Sequence, residues 1–503
     1  MREVTASPRS WALTLLLALG AILLLRVAVM LASGAGLYMD EAQYWDWSRQ
    51  LAWGYWSKPP GIAALIAAST ALAGDGVLGV RLLSMVCWLL SAGVLGWLAW
   101  DMAGRDETGR RAGLWAALLM TGTPASGILG MSATTDAPLV LSWATCMALT
   151  WRALRTPSGA SPLPYWLLAG VLLGLGMLSK YTMAALGASW AVLFLMHWRR
   201  HGVGMVMAGL VALAVFSPNL FWNASHGWPT LSHTAEITVA AATPASGKLA
   251  SVALFLAGQL LLLGPVGVTV GVLLWRRRAT APRLPQAARE QWPVAPLRFA
   301  LIFALPLLLV ALAQSINSRA NMNWTAPALL GLCLWLGLLA SQRLGLKALW
   351  WSALLGVALP AALSLASLSP QVRTQAQQGS PHLDLWARMR GWDSTMASLL
   401  PTVARHAPLP VAVSERDLLV QARYAWRGQG LTVAAWPSEG RPRHHFEQFE
   451  PLWQPGQRPE AVLVLTANEP TPAMRQAFAH WQRLDEAHWG RLHLQLWRAS
   501  ATP

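Results

Sequence analysis

Long apolar runs separated by short polar turns fill the chain as far as residue 368. Eleven such runs stand out: Trp11–Met30, Val77–Trp100, Ala112–Leu129, Ala137–Thr150, Tyr165–Leu178, Thr182–Trp198, Val203–Leu220, Leu249–Trp275, Leu297–Ala313, Trp324–Ala340 and Ala348–Leu368. A membrane-crossing helix needs about 20 apolar residues. Most runs meet that length; Ala137–Thr150 and Tyr165–Leu178 fall short of it. Beyond Leu368 the pattern changes to short β-like runs at Leu409–Ser414, Leu431–Trp436, Ala461–Thr466 and Leu492–Trp497. Helix-like stretches, Glu415–Arg427 and Pro472–Leu484, lie between them. Such alternation predicts a small α/β domain. The expected fold is a polytopic α-helical membrane protein, residues 1–368 with about eleven transmembrane helices, carrying a C-terminal α/β domain over 369–503.

Composition supports the membrane reading. Only 12% of the 503 residues are charged and 55% are hydrophobic, where a soluble protein carries roughly 25% charged residues. Too few charges remain to coat a soluble particle of this size, which excludes a water-soluble enzyme, a disordered chain and a fibrous repeat. The net charge of +16 does not point to nucleic acid, because the arginines crowd the short loops between apolar runs. On the side of the N-terminus these loops hold Arg105, Arg110, Arg111, Arg152, Arg155, Arg199, Arg200, Arg276 and Arg277, among others; the opposite loops hold Arg49, Lys58, Lys180, Lys248 and Arg319. That asymmetry predicts a cytoplasmic N-terminus. An odd number of spans then puts the C-terminal domain on the outer, periplasmic face. The three cysteines, Cys87, Cys146 and Cys333, lie in apolar runs and read as buried thiols.

Candidate chemistry concentrates on the outer side. The chain has four lysines, Lys58, Lys180, Lys248 and Lys347, and three of them run against the topogenic trend. Lys58 and Lys180 border apolar spans, as phosphate binders or as interfacial anchors. Arg26 and Arg81 lie within spans, to bind a lipid phosphate or to snorkel. Asp40 and Glu41 are adjacent and cannot both be helix caps. Asp136, just before Ala137-Pro138, is either an N-cap or a functional acid. The stretch from Tyr38 to Pro60 packs Asp40, Glu41, Tyr44, Asp46, Tyr55 and Lys58 among tryptophans. Carboxylates can act as general base or metal ligand, lysine can hold phosphate, and aromatic rings can stack on a sugar. The combination suggests a site for a lipid-linked phosphate.

Six motifs in order sharpen this: Asp40-Glu41-Ala-Gln43-Tyr44, Gly54-Tyr55-Trp56-Ser57-Lys58-Pro59-Pro60, Thr135-Asp136-Ala-Pro138, Gly176-Met-Leu-Ser179-Lys180-Tyr181-Thr182, Trp222-Asn223-Ala-Ser-His226-Gly227-Trp228 and Asn323-Trp324-Thr-Ala-Pro327. Through them the chain resembles the GT-C membrane glycosyltransferases, in the bacterial branch of the lipid A aminoarabinose transferases and protein O-mannosyltransferases. The resemblance implies inverting transfer of a sugar from polyprenyl (undecaprenyl) phosphate to a periplasmic acceptor at the bacterial inner membrane. It implies Asp40 as catalytic acid/base with Glu41 beside it, Asp136 as second acid, and Lys58, Lys180 and Arg319 at the donor phosphate. Tyr44, Tyr55, His226, Asn323 and Trp324, carried by the same motifs, complete the expected substrate-binding set. Gln43 stands where the aminoarabinose transferases have Arg, and Ser57 where they often have an acid. The sugar therefore stays open, as does a divalent cation, and no other cofactor is expected. The expected acceptor is a lipopolysaccharide, another glycolipid or a glycan; the alternative is a protein Ser or Thr. A transporter or flippase of lipid-linked sugars is the competing class, against which stands the absence of an internal sequence repeat.

Overall fold

The computed structural model describes residues 8–239, 247–277, 294–318, 321–372, 386–438, 440–454, 456–490 and 492–502. The chain as far as α11 forms helices α1 (Pro8–Ser33), α2 (Met39–Arg49), α3 (Gly61–Ala73), α4 (Val77–Met102), α5 (Glu107–Thr121), α6 (Pro124–Ile128), α7 (Asp136–Leu154), α8 (Leu163–Met177), α9 (Leu186–Ser225), α10 (Pro229–Val239) and α11 (Lys248–Arg276), of which α2, α3 and α10 lie outside the eleven expected runs. They continue with α12 (Pro296–Ile302), α13 (Leu305–Asn317), α14 (Ala328–Arg343) and α15 (Leu346–Ala366). The chain divides into two compact units. A helical unit comprises Met1–Ala28, Ser57–Ser69 and Arg81–Ala362; an α/β unit comprises Val29–Trp56, Thr70–Val80 and Leu363–Pro503.

Among the described residues, five helical segments are long and apolar enough to cross a bilayer, or six if one bent pair counts as a single span. The expected eleven are not all reached by length. Helix α8 has 15 residues and α14 has 16. The expected span Ala112–Leu129 bends by 63°. Thr123 Oγ1 accepts the Ser126 N–H at 3.1 Å, and Pro124 takes the first turn of α6. Together they start a new helix at Thr121-Gly122-Thr123-Pro124, a polar break inside the apolar run.

Helix α9 contains a reversal. His197 leaves the helical region at φ −135°, ψ 19°. Before it, Trp190 packs on Trp166, 5.5 Å between ring centres, and Met183 covers Gly176. After it, Gly204 lies against Trp166, Ala208 against Gly170 and Ala212 against Gly174. The first leg thus runs antiparallel to α8 and the second parallel to it, matching the two separate runs Thr182–Trp198 and Val203–Leu220. Small residues let these helices approach closely, as is usual where lipid removes the hydrophobic drive between them. The tryptophans Trp88, Trp115, Trp143, Trp151 and Trp166 are fully buried inside the helical unit.

The α/β unit adds α16 (Trp392–Arg405), β1 (Val411–Val413), α17 (Arg416–Ala425), β2 (Val433–Ala435), α18 (His445–Phe449), β3 (Ala461–Thr466), α19 (Pro472–Ala477), β4 (His480–Trp489) and β5 (Leu492–Ser500). The sheet runs in the order β2-β1-β3-β5-β4. β1 pairs in parallel with β2 and β3, and β5 pairs antiparallel with β3 and β4. One expectation fails here: Pro472–Leu484 is helical only as far as Ala477, and His480–Trp489 is a strand. A bulge between Arg483 and Asp485 breaks its alternation. Trp481, Leu484 and Ala487 consequently turn inward at a spacing of three, which imitates a helix.

Candidate functional site

In the α/β unit the adjacent acids Asp40 and Glu41 have different environments. Helix α2 starts after Tyr38, whose backbone N–H donates to Glu41 Oε2 at 2.9 Å. Glu41 is 1% exposed and closes the helix start, the reciprocal half of a capping box. Asp40, one residue earlier, keeps an accessible carboxylate, and its Oδ1 lies 3.2 Å from Arg416 Nη1 on α17. The same Arg416 nitrogen donates to Gln43 Oε1 at 3.1 Å, and Asp417 also pairs with this guanidinium. The attraction of Asp40 and Asp417 outweighs the cost of burial and raises the Arg416 pKa.

Tyr44 and Tyr55 are both buried. Tyr44 packs tilted against Trp47 at 5.5 Å. Tyr55 stacks on Trp47 at 4.4 Å, with 5° between planes. Its hydroxyl donates to Trp47 O at 3.0 Å and accepts from the Ala52 N–H at 3.2 Å. Burial pushes the Tyr55 phenol up to about 12. These contacts give Tyr55 a structural task. Deeper in the same unit, Arg423 Nη1 binds Asp46 at 3.0 Å and Glu450 at 2.6 Å. His445 reaches Glu450 at 3.4 Å. Burial raises the Asp46 carboxyl. Burial would raise Glu450 too, but the His445 hydrogen bond and the Arg423 charge outweigh it and hold Glu450 at about 2.

In the helical unit, the turn carrying Lys58-Pro59-Pro60 meets the turn carrying Lys180. The Gly61 N–H donates to Leu178 O at 2.7 Å. A Cβ at Gly61 would lie 2.6 Å from Ser179 Oγ and 2.8 Å from Leu178 O, so only glycine permits this approach. Two lysine-bearing turns are thereby locked together. Lys180 Nζ donates to Asp136 Oδ1 at 2.7 Å. Asp136 is the first residue of α7 and is 2% exposed. No N-cap bond is made there by the side chain of Thr135. The Asp136 carboxylate faces a lysine rather than its own helix, while still enjoying the positive end of the helix dipole. Next to Lys180, Tyr181 OH donates to Asn219 Oδ1 at 2.8 Å. Asn223 Nδ2 donates to Asn219 O at 3.0 Å, and Asn223 Oδ1 accepts the Thr230 N–H at 3.3 Å.

The other expected residues that the structure describes have their own contacts. His226 is exposed and stacks on Trp222 at 4.3 Å, with its Nδ1 at 2.7 Å from Trp222 O. Asn323 and Trp324 occupy the 3₁₀ turn Met322–Thr325, which is tied to α11 by Thr325 Oγ1 donating to Gln259 Oε1 at 2.6 Å. Arg319 lies outside the described residues. Arg26 and Arg81 do not snorkel: they are 6% and 0% exposed, and Arg26 Nη2 donates to Ser126 Oγ at 2.9 Å.

Comparison with known proteins gives this geometry a context. Residues 57–222 match the family model described as dolichyl-phosphate-mannose-protein mannosyltransferase. The lipid A galacturonosyltransferase RgtD of Rhizobium johnstonii is 26% identical over 506 residues, covering 99% of both chains. The undecaprenyl phosphate-alpha-4-amino-4-deoxy-L-arabinose arabinosyl transferase 1 of Pseudomonas fluorescens is 33% identical over 162 residues, 32% of this chain and 28% of that one. The crystal structure of ArnT from Cupriavidus metallidurans bound to undecaprenyl phosphate superposes with a TM-score of 0.65 at 16% identity, over 97% of this chain and 98% of that one. The chain is thus similar to membrane glycosyltransferases of the GT-C type, in sequence to two of them and in fold to a third.

The family match spans Lys58, Asp136 and Lys180, and the polar residues Tyr181 and Asn219 beside them. Arg416, Arg423 and Glu450 were not legible as partners of α2, because more than 350 residues separate them from it. The one available signal was the amphipathic run from Arg416 to Ala425, apolar on one face and arginine-rich on the other. Among the described residues no group of three or more His, Cys, Asp or Glu side chains is arranged to hold a metal ion.

Proposed function

We propose that this glycosyltransferase moves a sugar from undecaprenyl phosphate to a lipid A-type acceptor on the periplasmic face of the bacterial inner membrane. The reading rests first on the locked pair of lysine turns. Lys58 and Lys180 on these joined turns, the second paired with Asp136, offer the ammonium groups that a lipid phosphate needs. The end-to-end relative acts on lipid A, and the partial relative is named for an undecaprenyl phosphate-linked sugar. The arginine-rich loops set the cytoplasmic side, and Lys58 and Lys180 then fall on the periplasmic one.

The acceptor oxygen attacks the anomeric carbon in line, with inversion. The bond from that carbon to the phosphate oxygen breaks, and its electrons leave with polyprenyl phosphate. Asp40 takes the acceptor hydroxyl proton; a phosphate acceptor would need no base, and Asp40 would then orient it. Lys58 neutralises the charge that grows on the leaving phosphate. Lys180 is already half-neutralised by Asp136 and acts chiefly by orientation. Arg319 is the third candidate for the phosphate.

The test is transfer by purified protein from undecaprenyl phosphate-linked galacturonic acid to lipid A, read by the mass gained by lipid A. Wild type should transfer. Asp40→Asn and Lys58→Ala should each lose about a hundred- to a thousand-fold in rate, the usual effect of deleting one transition-state contact. Near wild-type turnover by both variants would overturn the assignment of the site. Absence of any gain on lipid A, with the sugar appearing on protein instead, would overturn the acceptor.

A further inference from the structure

At the far end of α7 from Asp136, the helical unit holds a second cationic site. Arg152 and Arg155, with Ser161 and Tyr165, line a cavity of about 520 Å³ where α7 ends and α8 begins. Sixteen residues of helix separate Arg152 from Asp136, about 24 Å at 1.5 Å per residue. The cavity is therefore separate from the Lys180–Asp136 pair.

Its charge is unbalanced. Both arginines pair with Asp101, whose side chain is fully buried. Arg105 Nε donates to Asp101 Oδ1 at 2.7 Å; Arg155 Nη1 and Trp151 Nε1 donate to Oδ2 at 2.6 and 2.9 Å. Arg152 comes only to 3.7 Å, beyond hydrogen-bond reach. Arg200 donates to the Thr156 carbonyl on the cavity wall. One carboxylate thus serves three guanidinium groups, and Arg152 lines the cavity with its own donors unused by Asp101. Ser161 Oγ accepts the Leu163 N–H at 3.2 Å, which leaves its proton to donate. Leu163 and Leu168 on α8 are 36% and 50% exposed, an apolar strip along which acyl chains can lie. Basic pockets between helices on the cytoplasmic side suit phospholipid headgroups.

We propose that this cavity binds a phosphate group, held by Arg152 with the Ser161 and Tyr165 hydroxyls, and supplied by an anionic phospholipid headgroup or by solution. The test is the thermal midpoint of the purified protein in detergent at fixed ionic strength, with phosphatidylglycerol, phosphatidylcholine or inorganic phosphate added. A ligand that binds the folded state raises the midpoint. Phosphatidylglycerol should raise it by a few degrees in wild type and in Lys347→Gln, a control for an exposed basic residue elsewhere. The rise should vanish in Arg152→Gln, where Arg105 and Arg155 still neutralise Asp101. Phosphatidylcholine should do nothing. A comparable rise with inorganic phosphate, also lost in Arg152→Gln, would support the site and assign it to free phosphate. No rise with either phosphate source, or an equal rise in wild type and Arg152→Gln, would overturn the proposal. Native mass spectrometry gives a second readout in case Arg152→Gln folds poorly. Tyr165→Phe removes one hydroxyl and should lower the retained phosphatidylglycerol; unchanged retention in both variants would overturn it equally.

Discussion

Two neighbouring carboxylates divide their roles by one helical position. Glu41 is buried and satisfies the start of α2, which leaves Asp40 to face solvent and Arg416. The Asp40–Arg416 pair is partly exposed, and such pairs are worth about 0–1 kcal/mol. Its value lies in orientation, because Arg416 ties Asp40 and Gln43 to one guanidinium. Arg416→Ala should therefore lower kcat about tenfold or more while moving stability by less than about 1 kcal/mol. Arg416→Lys should recover part of the rate. Equal loss of stability and rate in both variants would make Arg416 a structural residue only. Glu450 offers a pH test. Its carboxyl titrates near 4.5 when unperturbed and at about 2 when folded. The stability it contributes is complete above the higher value and is lost as pH falls toward the lower one. Glu450→Gln should lower the thermal midpoint at neutral pH and flatten its fall between about pH 4.5 and 2. Asp46 shifts the opposite way and damps the slope in wild type. A variant whose acid limb keeps the wild-type steepness would deny Glu450 this part.

At the scale of elements, the Lys58 turn depends on a missing side chain. Gly61→Ala would push a methyl into the Leu178 carbonyl and the Ser179 backbone, both 2.8 Å away. Backbone cannot step aside as a flexible side chain can. The expected cost is about 1–3 kcal/mol of stability, together with a displaced Lys58 and a loss of transfer larger than the stability loss explains. Transfer rate and thermal midpoint measured on the same preparation check this; an active, fully stable Gly61→Ala would mean the two turns need no such contact. Elements were legible wherever hydrophobic period and length agree. The runs either side of Arg199-Arg200 predicted two legs, and the reversal at His197 produces them. Strands β1, β2, β3 and β5 fall inside the β-like runs that the sequence marks, β5 extending past its run to Ser500. Strand β4 was hidden by its bulge, whereas the bend between α5 and α6 carried a signal, Thr121-Gly122-Thr123-Pro124, inside a run read as one span. Within the site, motifs named Asp136 and Lys180 singly, but their 2.7 Å contact depends on how α7 and the end of α8 pack. Local pattern carries no such information.

For the whole molecule, the division into units does not follow the division of the sequence into membrane and soluble parts. Helix α2, which carries Asp40, belongs with the α/β unit. Gln421 on α17 donates to Leu37 O at 2.9 Å, and Tyr424 meets Trp45 edge-on at 5.0 Å. Arg423 holds Asp46, and Arg416 holds Asp40. Removing residues 369–503 would strip every one of these partners from α2 at once. Asp46 would lose its 3.0 Å contact to the Arg423 guanidinium, and a buried carboxylate without its cation costs about 3–5 kcal/mol. The helix should then detach or refold locally, while the apolar helices of the other unit still insert. The expected result is a truncated protein, residues 1–368, that reaches the membrane but has no transferase activity and is cut by protease between residues 34 and 56, where the full chain resists. Supplying residues 369–503 as a separate chain should restore protection and part of the activity, because the contacts are non-covalent. A truncated protein that transfers sugar at the wild-type rate would show that α2 holds Asp40 in place without the C-terminal unit.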